Sequence, residues 1–353
     1  MKILYLCHSD LDGWKSDHRA TSQKLKALKD LVEKVIIVSS KFRRFKLLEL
    51  FFLELKCVFF IRKHKPNVLI SRGYVGFFAQ KYAKLKKIKT VREVHADIVE
   101  EIKQYDKNFI EKKLLLPLAY YMQLIDKQCD VRIFNHPNLL MWFSKKFKNL
   151  NCKNDIFVYN GYDTGELSNI SQQEARKKFG FKDSYKYLVF TGGVKHWHGI
   201  NYLADLQKEL SSMNAKIQIV CGGGKISSKD DPEGLILNIT PLDSKNCMDL
   251  INASDACILS VRESRVSPGS ALKLYDYFLH KKFVITQNNL KGYSDEVLKY
   301  GYGALIDFKE SKLSALKIIE EMNNLNRIDN SQIKIDNFSW HSRMSEWIKG
   351  ISF

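Results

Sequence analysis

SPGSALKLYDYFLHKKFVITQ, residues 267–287, is the stretch on which the fold turns. Ser267, Pro268 and Gly269 signal a loop, a helix is expected over 270–279, and the short apolar run 283–286 reads as a buried strand. The same alternation continues in both directions. Toward the C-terminus follow a strand at 303–306 and helices at 311–325 and 337–350. Toward the N-terminus lie strands at 187–191, 217–221, 235–239 and 256–260, with helices at 199–213 and 244–252. The front half repeats the pattern, with strands at 2–7, 34–39, 67–70, 89–95, 131–134 and 156–159 and helices at 20–32, 74–88, 100–128 and 138–149. Short apolar strands alternating with helices indicate parallel sheets covered on both faces.

A length of 353 residues with 45% hydrophobic residues suits two domains, each with its own core. The polar, glycine-bearing segment NGYDTGELSNISQ (160–172) reads as the linker. The expected fold class is therefore α/β, with two tandem Rossmann-like, doubly wound domains at 1–165 and 166–335. Residues 336–353 form a C-terminal helix that can cross back to the front domain. Ligands of such sheets bind beyond the carboxyl ends of the strands, so the expected site is a central cleft that the two domains face.

The chain carries 57 Lys/Arg against 39 Asp/Glu, a net charge of +18. Residues 1–165 hold 32 and 17 of these, a net of +15; the remainder hold 25 and 22, a net of +3. A basic front half implies an acidic partner: anionic lipid, nucleic acid or a phosphorylated acceptor. The seven cysteines are scattered, without a C-x-x-C pair, and read as reduced thiols of a cytosolic protein. The start MKILYLCHSD reads as a first strand rather than a signal peptide, and no run of about 20 uncharged apolar residues spans a bilayer.

Two segments carry the chemistry. At the start of the 270–279 helix, backbone N–H groups and the dipole favour an anion, and Ser267, Gly269 and Ser270 frame that approach. Lys273 and Asp276 lie three apart on one face, a cation for phosphate and a carboxylate for a sugar hydroxyl pair; the plain alternative is an exposed Lys–Asp pair. In KYLVFTGGVKHWHGINYL (186–203), Gly192 and Gly193 follow a strand and permit close backbone approach, and Lys195 follows in the loop. The spacing matches neither the dinucleotide fingerprint nor a Walker loop. Gly222, Gly223 and Gly224 form a similar turn, with a plain loop as the alternative. His196 and His198 have metal-ligand spacing but no third ligand, so no metal is expected.

These segments resemble the retaining GT-B glycosyltransferases of group 1, the family 4-like enzymes that include many surface-polysaccharide transferases. The resemblance rests on MKILYLCHSDLDGW at the start, VREVHAD (91–97), VYNGYD (158–163), SPGSALKLYDYFLHKKFVIT and the closing FSWHSRMSEWI. It implies that Asp276 stands where a glutamate bonds the nucleotide ribose. Lys273 and Lys195 would neutralise the leaving diphosphate, and His95 would sit beside the donor sugar. Asp12 and Gly13 would form an acceptor and phosphate loop, with Asn160 and Gly161 in the hinge. The front domain would hold the acceptor and the rear domain the nucleotide-sugar, a UDP- or GDP-sugar serving as substrate with no cofactor or metal. This sequence departs at Val194 and His198, where relatives carry Arg and Lys, and at Pro268, where relatives carry a first glutamate.

Segment 41–65, KFRRFKLLELFFLELKCVFFIRKHK, holds eight Lys/Arg and two Glu around a Phe- and Leu-rich centre. It reads either as a covering helix of the front sheet or as a helix that also leans on an anionic membrane. In the second reading Arg43, Arg44, Phe51, Phe52, Arg62 and Lys63 make the contact, which suits a lipid-linked acceptor at the inner face of the cytoplasmic membrane. The rival functions are an inverting GT-B transferase, a nucleotide-sugar epimerase, a catalytically dead relative and a basic nucleic-acid-binding protein. The last lacks any recognisable reader motif, so no nucleic acid is expected as a partner.

Overall fold

A computed structural model describes residues 1–11, 16–40, 46–104, 109–147, 154–194, 196–262, 268–288, 292–325 and 338–352. The candidate residues Asp12, Gly13, Arg43, Arg44, Lys195 and Ser267 lie outside them. The chain divides into two units: Met1–Gly161 with Val266–Gly269 and Ser339–Phe353, and Tyr162–Arg265 with Ser270–Phe338.

The first unit is built on a six-stranded parallel sheet. Its strands are β1 (Lys2–Cys7), β2 (Lys34–Val38), β3 (Val68–Arg72), β4 (Lys89–Val94), β5 (Val131–Phe134) and β6 (Ile156–Phe157). They lie in the order β2-β1-β3-β4-β5-β6, so the winding reverses between β1 and β3. The connecting helices are α1 (Ser16–Leu31), α2 (Lys46–His64), α3 (Phe77–Leu85), α4 (Ile98–Gln104), α5 (Phe109–Gln128) and α6 (Pro137–Lys146). The single helix expected over 100–128 is thus two, α4 and α5. Leu4, Leu6 and Leu69 of the strands pack against Leu50, Leu53, Cys57 and Ile61 of α2. Buried Glu54 of α2 accepts N–H bonds from Gly76, Phe77 (2.9 Å) and Ala79 (2.8 Å). It therefore supplies the start of α3 with the acceptor that its glycine cap lacks.

The second unit holds another parallel sheet, from β7 (Lys186–Gly192), β8 (Ile217–Gly223), β9 (Leu237–Ile239), β10 (Ala256–Leu259), β11 (Phe283–Gln287) and β12 (Gly303–Ile306). The order is β12-β11-β10-β7-β8-β9. The chain starts at the middle, winds outward to β9, returns to β10 and winds outward the other way. Its helices are α7 (Gln172–Lys178), α8 (Ile200–Ser212), α9 (Ser244–Ala253), α10 (Leu272–Leu279), α11 (Tyr293–Tyr300) and α12 (Ser311–Asn324).

Two elements went unread in the sequence. α7 begins inside the expected linker, where Ser171 and Glu174 form a reciprocal capping box. The second, α11, carries buried Glu296. The last helix, α13 (Trp340–Ser352), belongs to the first unit and packs on α1, with the Trp340 indole donating to Gln23 Oε1 at 2.8 Å.

Candidate functional site

In the second unit the winding reverses between β7 and β10, and a doubly wound sheet opens its crevice at the carboxyl ends of the strands flanking that point. There β7 ends at Gly192, whose φ of +106° is closed to ordinary side chains. The Gly224 N–H donates to the Gly192 carbonyl at 3.2 Å, and a Cβ on Gly224 would stand 2.4 Å from the Val194 nitrogen. The ends of β7 and β8 therefore meet backbone to backbone. Gly222 has a packing reason for its identity, because a Cβ there would fall 2.2 Å from Leu250 Cδ2. Gly193 is exposed, with open space where a side chain would begin.

Helix α10 is set against this turn by Tyr277, whose buried hydroxyl accepts the Thr191 N–H at 3.0 Å. One turn earlier, Lys273 reaches over the end of β7. Its Nζ lies 3.7 Å from the Phe190 ring centroid, 3.4 Å from His198 Nε2 and 3.5 Å from where a Cβ on Gly192 would be. The ammonium donates to Nε2, so the His198 proton belongs on Nδ1. An aromatic face and an imidazole thus hold a cation at the reversal point.

Asp276, three residues on, is 9% exposed. The N-cap of α10 is Ala271, in extended backbone and with no side-chain cap bond. Ser270 does not cap the helix; its hydroxyl donates to Glu296 at 2.9 Å and meets the Tyr275 hydroxyl at 2.9 Å. Gly269 lies buried in the loop before it.

The first unit gathers a second cluster around Glu93 at the end of β4. This buried carboxylate receives the Tyr5 hydroxyl at 2.5 Å, the His95 Nε2 at 2.6 Å and the Lys24 ammonium, with Arg72 Nη1 at 3.8 Å. Burial alone would raise the Glu93 pKa, but Lys24, His95 and Arg72 outweigh it and hold the carboxyl well below the ordinary range. Lys24 is 2% exposed and lies 5.1 and 5.5 Å from the ring centroids of Trp340 and Trp347, which join it to α13. A small cavity is lined by Lys24, Glu93, His95, Asn135, Asn160 and Trp340, among others. Of this set, roles were expected from the sequence only for His95 and Asn160; Glu93 and Trp340 stood in quoted segments without one, and Lys24 and Asn135 were missed.

The His95 imidazole donates Nε2–H to Glu93, which leaves Nδ1 as the acceptor. Burial and then the Arg72 cation lower its pKa to about 4, against the pull of Glu93. An unfolded histidine titrates near 6.5, so between those values the unfolded chain binds the extra proton and stability falls as pH drops from about 6.5 toward 4. A ¹⁵N NMR titration of histidine-labelled protein is expected to show His95 neutral down to pH 5. A midpoint above 6 would contradict this geometry.

No protein-family model matches the sequence, and no curated protein does. Solved structures do match the fold. Sucrose-phosphate synthase from Thermosynechococcus elongatus superposes with a TM-score of 0.73 at 12% identity, covering 99% of this chain and 98% of that one. WaaG, a glycosyltransferase involved in lipopolysaccharide biosynthesis, gives 0.71 at 11% identity over 100% of both chains. HepE from Anabaena, solved with UDP and glucose, gives 0.66 at 15% identity over 100% and 99%. The chain has the GT-B fold. In GT-B terms, Lys273 and the Gly192–Gly224 turn lie on the second Rossmann-like sheet, and the Glu93–His95 cluster lies on the first.

Proposed function

We propose that this GT-B chain is a glycosyltransferase that moves a sugar from a nucleotide-diphosphate sugar onto a glycan or lipid-linked acceptor. The observation that carries the reading is the Lys273 ammonium above the glycine turn where β7 and β10 part. In the reaction the bond from the sugar C1 to the diphosphate oxygen breaks and a bond to an acceptor hydroxyl oxygen forms. The hydroxyl proton leaves with the departing phosphate. Negative charge builds on that phosphate, and a preorganised cation with backbone N–H donors stabilises it most where water is scarce. Asp276 takes the ribose hydroxyls, and Lys195 and Ser267 complete the phosphate contacts. Asp12 and Gly13 serve the acceptor side.

The reading extends to a UDP- or GDP-sugar donor, retention of the anomeric configuration, independence of metal, and a group 1 role in surface-polysaccharide assembly at the inner face of the cytoplasmic membrane. The HepE complex with UDP and glucose and the description of WaaG support this direction. A thermal-shift screen against UDP-, GDP-, ADP- and CMP-sugars tests it. A donor at 100 times its dissociation constant stabilises the folded state by about 2.7 kcal/mol, so one nucleotide class should raise Tm and the others should not. No shift with any of them removes the reading. Product analysis by NMR then reports the anomeric configuration.

A further inference from the structure

Helix α2 has apolar side chains on two opposite faces. One face, with Leu50, Leu53, Cys57 and Ile61, is buried on the sheet. The other presents Leu48, Phe51, Phe52, Leu55 and Phe59, each about half exposed or more. These five recur at spacings of three and four residues, so they form one continuous stripe along the helix. Monomeric proteins rarely expose contiguous apolar stripes of this kind without using them. The neighbouring α3 adds exposed Phe78 and Leu85.

The exposed charges beside the stripe are basic. Lys56, Arg62 and Lys63 are exposed on α2, and Lys81 and Lys86 on α3 and its end. The two acids of α2 are Glu54, buried at the start of α3, and the half-buried Glu49. No helix among the described residues is long and apolar enough to cross a membrane, so a bilayer contact here lies in the interface plane.

We infer that the outer face of α2, with Phe78 of α3, docks the protein on an anionic membrane surface. Leu and Phe side chains enter the headgroup–acyl boundary while Lys56, Arg62, Lys63 and Lys81 meet anionic headgroups. Charge complementarity favours this occupant over the others. A second copy of the chain would set cations against cations, and a nucleic acid would place phosphates on an apolar stripe. The inference concerns a surface separate from Lys273 and stands whether or not the chain transfers sugar.

The test is co-sedimentation of the full-length protein with phosphatidylglycerol-containing vesicles and with neutral phosphatidylcholine vesicles. Binding should prefer the anionic vesicles and weaken in high salt. Phe52→Ser with Phe59→Ser changes side chains that are 63% and 59% exposed, so the fold should persist. That pair should lower the partition coefficient at least tenfold. Arg62→Gln with Lys63→Gln should lower it about 25-fold, at roughly fivefold per cation. Donor-induced thermal shifts should be unchanged in both pairs, which separates this surface from the transfer reading. Equal binding of wild type and the serine pair overturns the inference. So does equal binding to neutral vesicles, or a wild-type dimer in light scattering that the serine pair abolishes.

Discussion

Lys273→Ala is expected to abolish the nucleotide-sugar thermal shift and to lower transfer 10²–10³-fold, or about 2.7–4 kcal/mol, the usual loss when a preorganised charge-stabilising donor is removed. The effect should raise KM as well as lower kcat, because the ammonium meets the charge already on the diphosphate of the bound donor and the further charge that builds on it in the transition state. The fold should survive, since α10 is held by Tyr277 on Thr191 and by Tyr275 on Glu296, and neither bond involves Lys273. Lys273→Arg keeps the charge but places a planar fork where a compact ammonium sits over Phe190, so partial recovery is expected. Asp276→Ala should weaken donor binding through the ribose and raise KM. Wild-type turnover and an unchanged thermal shift in Lys273→Ala would end the proposed donor site.

Glu93→Ala should cost stability rather than turnover alone. It strands the Lys24 ammonium, buried in the first unit, beside Arg72 without their shared carboxylate. Removing one member of a buried ion pair costs about 3–5 kcal/mol, because the remaining charge stays desolvated and uncompensated. The rings of Trp340 and Trp347 near Lys24 offset part of that cost. Urea unfolding followed by tryptophan fluorescence suits the measurement, since Trp142, Trp340 and Trp347 all belong to the first unit. Adding Lys24→Met to Glu93→Gln should recover part of that loss, because the most deeply buried cation is removed with its partner while Arg72 keeps its charge. A Glu93→Ala midpoint equivalent to wild type within about 1 kcal/mol would mean that the carboxylate is not the centre of the cluster.

Much of the architecture was legible in the chain itself. Runs such as KILYLC and FVIT were legible as strands because apolar residues at successive positions suit a strand buried on both faces. Gly192 was legible as a place of close backbone approach, but its contact with Gly224 came only from the pairing of β7 with β8. The boundaries near 105 and 172 were less so, because helix ends depend on a few capping bonds that compete closely with continuation.

What the amino-acid order determined was periodicity: strands, helices, their alternation and the positions where only glycine fits. What only the tertiary structure decided was which distant groups share a site. Tyr5 and Lys24 meet Glu93 across 88 and 69 residues of chain, and Lys273 meets His198 across 75. The order of strands in the sheet, which no local pattern encodes, brings each pair together. The two faces of α2 show the same division. Apolar residues encircle the helix in the sequence, and only its seat on the sheet selects Leu50 and Cys57 for the core and leaves Phe52 and Phe59 facing out. Burial is a property of the neighbours that a fold supplies, whereas spacing is a property of the chain alone.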